Sequence, residues 1–334
     1  MDINWKSEFI SLYMSKEHTD FTKALELKRK NMPTTLYRYR SIKTELELKR
    51  LIDSIRSGNI YCAHRDTLND PFELRAPLSS KKASSYLGTN KTKKSIYLEH
   101  LKKHFDESEF AEVMQGDDWY EKLQRLIFSK QTKQDGLSIE YVENALNAVF
   151  MKQIEDLGTA YENIFNMNRI TSFSEDSKNL PMWQHYADAH RGVCLAYDMS
   201  GLDIITSNAL YPVLYVKELP DVVKFSFEHF GKDEKPPFGI TLYHCIHKLA
   251  DWSYEKEWRY VYQPGMHYYS HENIPLDYWD NGIEVAFTTP VKIILGNKVD
   301  NDVKSKLLKI VRNQGVSIAQ MHITPYGLEE IEII

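Results

Sequence analysis

Apolar residues recur at helical spacing over residues about 5–30, where Trp5, Phe9, Leu12, Tyr13, Phe21, Ala24 and Leu25 follow a 3.6-residue period. Pro33 closes that segment, because its ring cannot continue a helix. Leu36–Arg40 then reads as a short strand. From Thr44 to Ser57 the helical pattern returns, with Leu46, Leu51, Ile52 and Ile55 as its buried stripe. Thr44 suits the N-cap and Gly58 suits the left-handed end. Asn59–Ala63 is the next strand. The front of the chain therefore reads strand–helix–strand, closed by the polar turn Asn69-Asp70-Pro71-Phe72-Glu73.

Residues about 76–165 are charged, helical in period and poor in strand signals, and they read as a helical insertion. From Ile170 the strands resume: Ile170–Ser174, Gly192–Tyr197, Tyr211–Val216, Glu255–Tyr262, Ile283–Thr288 and Val291–Leu295. A short helix is expected over Pro181–His190, a longer one over about Ile240–Asp251, and another over Asp302–Gln314 before a last strand near Ser317–Ile323. The expected class is α+β with a mixed or antiparallel sheet. An N-terminal helical segment over 1–32 precedes one α+β domain over 33–334 that carries the insertion. The elements do not alternate as in a doubly wound fold, and no Gly-rich nucleotide fingerprint is present.

Composition narrows the picture. The chain has 334 residues, 42% of them hydrophobic, enough for a sizeable core. No apolar run approaches the roughly 20 residues that span a bilayer, and Met1–Lys6 has no signal-like apolar segment, so a cytoplasmic protein without membrane contact is expected. Cys62, Cys194 and Cys245 are too few and too scattered for a disulfide framework, and they read as buried thiols. A net charge of −5 argues against a general polyanion binder. Locally, Lys81, Lys82, Lys91, Lys93 and Lys94 form a basic stretch that could meet an acidic partner or a nucleic acid.

Four polar clusters could carry chemistry. Arg38 and Arg40 share one face of the first strand and suit a diphosphate or carboxylate clamp, or else bridge acidic neighbours. Asn69, Asp70 and Glu73 make a turn that either caps an element or positions a substrate. Ser172 and Ser174 project from one strand face, and Trp183, His185, Tyr186 and His190 follow. The five-residue step from His185 to His190 is wrong for a helical zinc pair, and His244 with His247 lacks an acidic third ligand, so no metal is expected. The fourth cluster is Asp251–Tyr262. From Tyr254 onward it reads as a strand, which sets Glu255, Glu257 and Arg259 on one face, and this is costly unless they are paired or used.

Together the runs Leu36–Arg40, Asn69–Glu73, Ser172–Ser174, Met182–Gly192 and Tyr254–Arg259 resemble a bacterial family of unknown function. The same arrangement resembles divergent ADP-ribosyltransferases. That resemblance implies an ADP-ribosyltransferase-like fold acting on NAD as substrate. It makes Glu257 the catalytic glutamate and Glu255 the substrate-activating one. Arg38 or Arg40 would grip the diphosphate or ribose, and Ser172 and Ser174 would match the Ser-x-Ser element. Tyr186 and Arg259 would join the NAD site, with Asn69, Asp70, Glu73, Trp183, His185 and His190 as further candidates. Phe173 stands where that family has Thr, and Trp258-Arg259 where it has aliphatic residues. The implied protein is a toxin or antiphage effector that modifies RNA, DNA or protein, with an antitoxin or chaperone as a candidate partner. An RNase-like effector using His185, His190 and the carboxylates, or a non-catalytic sensor, are the alternatives.

Overall fold

Along the first strand, side chains alternate between two cores, and that alternation organises the sheet. In the computed structural model, the described residues are 4–75, 106–115, 122, 125–126, 129, 152, 155–222, 225–226, 240–263, 281–312 and 314–333. They include β1 (Thr35–Arg40), β2 (Asn59–Cys62), β3 (Arg169–Ser174), β4 (Val193–Asp198), β5 (Leu210–Pro212), β6 (Leu214–Val216), β7 (His247–Leu249), β8 (Glu257–Tyr262), β9 (Ile283–Ala286), β10 (Lys292–Leu295), β11 (Ser317–Thr324) and β12 (Gly327–Glu332). Eight of these form a mixed sheet in the order β12-β11-β10-β4-β1-β3-β8-β5, in which β10 and β11 are parallel and the other neighbours antiparallel. β2 pairs with β9, and β6 runs parallel to β7.

One core holds Leu36, Leu195, Tyr197, Phe173, Trp258 and Tyr260, under the helices Glu45–Ser57 and Asn301–Val311. The other holds Tyr39, Cys194, Ile294 and Met321, with Met182 and Trp183 of the helix Leu180–His185. Helix Glu45–Ser57 is decided locally. Thr44 and Glu47 form a reciprocal capping box, and Gly58 ends it at φ 72°.

The contact between β1 and β3 positions the site. β1 keeps register with β4 from Thr35 to Arg40, but with β3 only at Tyr37–Ser174. Beyond that pair the two strands part. Ala63, just past β2, then takes up Ile170 through two backbone hydrogen bonds of 2.7 and 3.1 Å. A strand that loses its neighbour must find other partners for its backbone groups, and β3 finds them in the chain leaving β2.

Several expected elements differ. Residues 5–30 form two helices, Asn4–Tyr13 and His18–Asn31. The helix expected over Pro181–His190 stops at His185, because Asp188, Ala189 and His190 take φ of 47°, 50° and 69°. The expected Ile240–Asp251 helix is a short helix at Ile240–Tyr243, a 3₁₀ turn, β7, and a 3₁₀ helix over Ala250–Glu255. There, pairing with β6 draws the backbone of His247–Leu249 sideways into a ladder. Tyr211–Val216 is divided between β5 and β6, and β12 was not foreseen.

The chain comprises two compact units: Met1–Leu74, Phe165–Glu218 and Thr241–Ile334 in the first, Arg75–Ile164 and Leu219–Ile240 in the second. The sheet belongs to the first. In the second, helix Glu107–Met114 is capped reciprocally by Asp106 and Glu109, and the Tyr161 and Ser226 hydroxyls hydrogen-bond at 3.1 Å. The five lysines between 81 and 94 lie outside the described residues.

Candidate functional site

The 3₁₀ helix Ala250–Glu255 ends in Lys256, whose φ is +46°, and β8 begins only at Glu257. Glu255 is therefore not a strand residue, as the alternation of the sequence suggested. The left-handed residue still leaves both carboxylates aimed at one cation. Lys248 Nζ on β7 donates to Glu255 Oε2 at 2.6 Å and to Glu257 Oε2 at 3.1 Å, and lies 3.8 Å from Glu73 Oε1. Arg259 donates through Nε to Glu257 Oε1 at 2.8 Å, through a terminal nitrogen to Glu73, and through the other to the Cys245 carbonyl at 2.6 Å. Ser174 pins the Glu255 carbonyl at 2.7 Å, and the Tyr215 hydroxyl accepts from the Glu257 amide at 2.8 Å.

This cluster is buried. Glu73, Lys248, Glu255, Glu257 and Arg259 are each at most 5% exposed. Three carboxylates against two cations leave one negative charge in excess, and burial makes that excess costly. The titration behaviour divides accordingly. Burial works to raise Glu257, but Arg259, Lys248 and the Ser172 hydroxyl outweigh it and hold the carboxyl far below its ordinary value. Burial and the neighbouring Glu257 raise Glu255, and Lys248 and Tyr186 offset only part of this. Glu73 is raised as well, chiefly by burial. For Lys248 the carboxylates overcome burial and raise the ammonium.

The cluster floors one end of a cleft of about 450 Å³ that runs through the gap between β1 and β3. Ser172 and Ser174 line it, as do Asn69, Glu73, Tyr186, Lys248, Glu255 and Glu257. At the other end stand Arg38, Arg40 and Arg50. Residues two apart on a strand share a face, so Arg38 and Arg40 point to the side of Leu36 and its core. Glu257 and Arg259 point away from the core residues Trp258 and Tyr260. The two clusters thus leave opposite faces of the sheet rather than facing each other across one, and they meet only because the strands part.

The arginines differ in their ties. Arg38 donates to the Tyr61 carbonyl at 3.0 Å, and Thr171 donates to the same oxygen at 2.5 Å. That carbonyl therefore bridges β1 to β3 across the gap. Arg40 makes no ion pair among the described residues. Arg38 beside it and burial pull its guanidinium down to about 10. Its backbone is crowded, since a Cβ at Gly192 would lie 2.2 Å from the Arg40 carbonyl oxygen. Arg40 and Arg50 also line a second, smaller cleft of about 200 Å³.

The remaining expected site residues fall elsewhere. Arg259 is fully buried, saturated by carboxylates and a carbonyl, and does not reach the cleft, so it holds the site's floor instead of a ligand. Trp183 is a core side chain whose indole nitrogen donates to the Ser177 carbonyl at 2.8 Å. His190 is buried against that indole, with ring centroids 5.7 Å apart and planes 5° from parallel. His185 is exposed beside Tyr186 and does not line the cleft. Asp70 is spent on its turn, accepting from the Phe72 amide at 2.9 Å. Lys248 was not foreseen. Its one signal is a lysine in the weakly polar run Cys245-Ile246-His247-Lys248-Leu249-Ala250, where His247 is the one other polar side chain. No group of three or more described His, Cys, Asp or Glu residues is arranged to hold a metal, and no described helix is long and apolar enough to cross a membrane.

Residues 182–260 match the profile of a family described as a protein of unknown function, DUF2971. The matched segment carries Tyr186, Lys248, Glu255, Glu257 and Arg259, the acidic end of the cleft. It leaves out Arg38, Arg40, the Asn69–Glu73 turn and both serines of β3. No curated protein and no solved structure matches the chain.

Proposed function

We propose that the cleft binds NAD, cleaves its nicotinamide–ribose bond and transfers the ADP-ribose to an acceptor. The observation that carries this reading is the pair of carboxylates at one end. Glu257 is locked as an anion and Glu255 is raised toward protonation, with both on Lys248. Two carboxyl groups pushed apart in this way mark one fixed charge and one proton carrier. Glycosidic cleavage passes through a carbocation-like sugar, which a permanent carboxylate stabilises. Glu257 serves as that charge. As the C–N bond breaks, its electron pair leaves with nicotinamide, the acceptor's oxygen or nitrogen bonds to the sugar carbon, and the acceptor's proton passes to Glu255.

At the opposite end Arg40, without an ion-pair partner among the described residues, offers a planar fork to a phosphate. Arg38 is tied to Tyr61 and serves the architecture. The RNase-like alternative needs histidines in the cleft, and neither His185 nor His190 lines it. The test is incubation with NAD labelled in the adenylate half, together with cell lysate, then digestion with protease or nuclease. Retained label removed by one digestion identifies the acceptor class. Absence of both label transfer and nicotinamide release rejects the reading.

A further inference from the structure

We propose that Asn69 and Tyr186 form a positioning pair that aims the Glu255 carboxylate into the cleft and holds it there as the proton acceptor. The inference rests on the glycosyl-transfer reading and assigns a role to two motif residues which that reading leaves unused. Asn69 Nδ2 donates to the Tyr186 hydroxyl at 2.8 Å, and that hydroxyl donates to Glu255 Oε1 at 2.5 Å. The other oxygen of Glu255 is taken by Lys248 at 2.6 Å. The carboxylate is thus gripped at both oxygens and cannot swing. The chain of contacts runs from exposed Asn69 at the cleft wall, through half-buried Tyr186, to buried Glu255.

Both partners are themselves held. Tyr186 ends the helix Leu180–His185, its amide donating to the Met182 carbonyl at 2.9 Å. At the start of that helix, Asn179 donates to the Tyr254 carbonyl at 2.6 Å, next to Glu255 in the chain. The helix is therefore tied at both ends to the segment that carries the carboxylate. Asn69 opens the turn whose last residue, Glu73, binds Arg259. One turn thus reaches Glu255 through Tyr186 and Glu257 through Arg259. The Asp70 carboxylate and carbonyl close it, accepting from the Phe72 amide at 2.9 Å and the Glu73 amide at 3.1 Å. A Tyr hydroxyl that donates to a carboxylate favours its charged form, so it opposes the burial and the Glu257 charge that push Glu255 up.

The test uses Tyr186→Phe and Asn69→Ala in the full chain, with two readouts. The first is the titration of the glutamate carboxyl carbons by NMR in the free protein. The second is the pH profile of kcat/KM for NAD consumption. In Tyr186→Phe the Glu255 titration moves up. Activity then falls about tenfold on the acid side of that titration, as expected for one lost hydrogen bond to a charged group, and recovers as pH rises. Asn69→Ala shifts both readouts the same way by less, and because Asn69 is exposed this variant keeps the fold. An unmoved Glu255 titration in both variants, or a loss of activity equal at every pH, overturns the proposal. Absence of NAD consumption by the wild-type protein overturns the glycosyl-transfer reading instead. The NMR titration still decides whether the pair governs Glu255.

Discussion

The two ends of the cleft handle charge in opposite ways. At the acidic end, three carboxylates and two cations are buried together and hydrogen-bonded to one another, and every ionised oxygen of Glu255 and Glu257 is taken by a donor. At the basic end, Arg38 and Arg40 repel each other. Arg38 is satisfied by a neutral carbonyl, and among the described residues no ion pair ties down Arg40. The first end is self-neutralised to within one charge, whereas the second sets Arg38, Arg40 and Arg50 against Glu47 and keeps a positive excess. A buried network of this kind fixes geometry, since removing either cation strands the carboxylates. A half-buried cation with no ion pair among the described residues is the part left to bind. Within one cleft, the pre-organised end is suited to chemistry and the underpartnered end to grip.

The largest effect expected from this contrast is on stability. Lys248→Met leaves Glu73, Glu255 and Glu257 with Arg259 alone. Stranding buried charge typically costs about 3–5 kcal/mol, measurable by urea denaturation. The pH dependence has a definite sign. In the wild-type protein, Glu257 is held below its unfolded value near 4.5, so its contribution is present above that pH and lost as pH falls through the folded value. Lys248 is raised above 10.5, so its contribution is complete below that value and lost at more alkaline pH. Without the ammonium the buried carboxylates favour protonation, so the variant gains stability as pH falls from neutrality toward their ordinary value of 4.5. A Lys248→Met protein as stable as wild type across that range would show that the cluster is not held by charge.

Next comes catalysis. Glu257→Gln removes the excess negative charge and leaves two carboxylates against two cations, so the fold is kept. NAD cleavage falls by on the order of 10²–10³, the usual loss for one electrostatic contact made in the transition state. Steady-state kinetics beside a melting curve separate the two effects. Wild-type turnover in Glu257→Gln removes this residue from the mechanism.

The contrast between the ends also shows how much of the molecule its sequence discloses. The ends of helix Glu45–Ser57 are legible to the residue because Thr44, Glu47 and Gly58 settle them through contacts a few positions away, but its expected buried stripe is off by one position, since Leu46 is exposed and Leu48 buried. The separation of β1 from β3 was not, because it depends on Ala63 pairing with Ile170 across more than a hundred residues. Period-two alternation set Glu257 and Arg259 on a common face, as found, but said nothing of depth, so Arg259 read as a ligand contact when it is a buried brace. The same alternation puts Glu255 in the strand, because nothing in Tyr-Glu-Lys-Glu-Trp announces a left-handed lysine. Lys248 gives no such signal because its partners are Glu73, 175 residues before it, and two glutamates at and just past the end of an unforeseen 3₁₀ helix.

A third prediction separates the arginines of the basic end. Arg40→Lys replaces a planar fork with a point charge and weakens NAD binding about tenfold, the worth of one charge-assisted hydrogen bond, while melting as wild type. Arg38→Lys disturbs the Tyr61 carbonyl that joins β1 to β3, and costs about 1 kcal/mol of stability. Calorimetric titration and denaturation on both variants read the difference. Equal effects on binding would mean that both guanidiniums face the ligand.

The smallest effect expected is that of salt, and it probes the contrast without a mutation. At about 0.1 M ionic strength the screening length is about 10 Å, and exposed charges are weakened far more than buried pairs. Arg40 lines the open cleft and has no ion-pair partner among the described residues, so its attraction for a diphosphate acts partly through water. Raising salt from about 0.05 to about 0.5 M should weaken NAD binding several-fold. The acidic end excludes ions, and its members hold each other at 2.6–3.1 Å. Its contribution to the melting temperature should therefore stay constant over the same range, judged by the difference between wild type and Lys248→Met at each salt concentration. If that difference shrinks as steeply as the affinity does, ions reach the carboxylates, and the acidic end is an open, solvated patch like its counterpart.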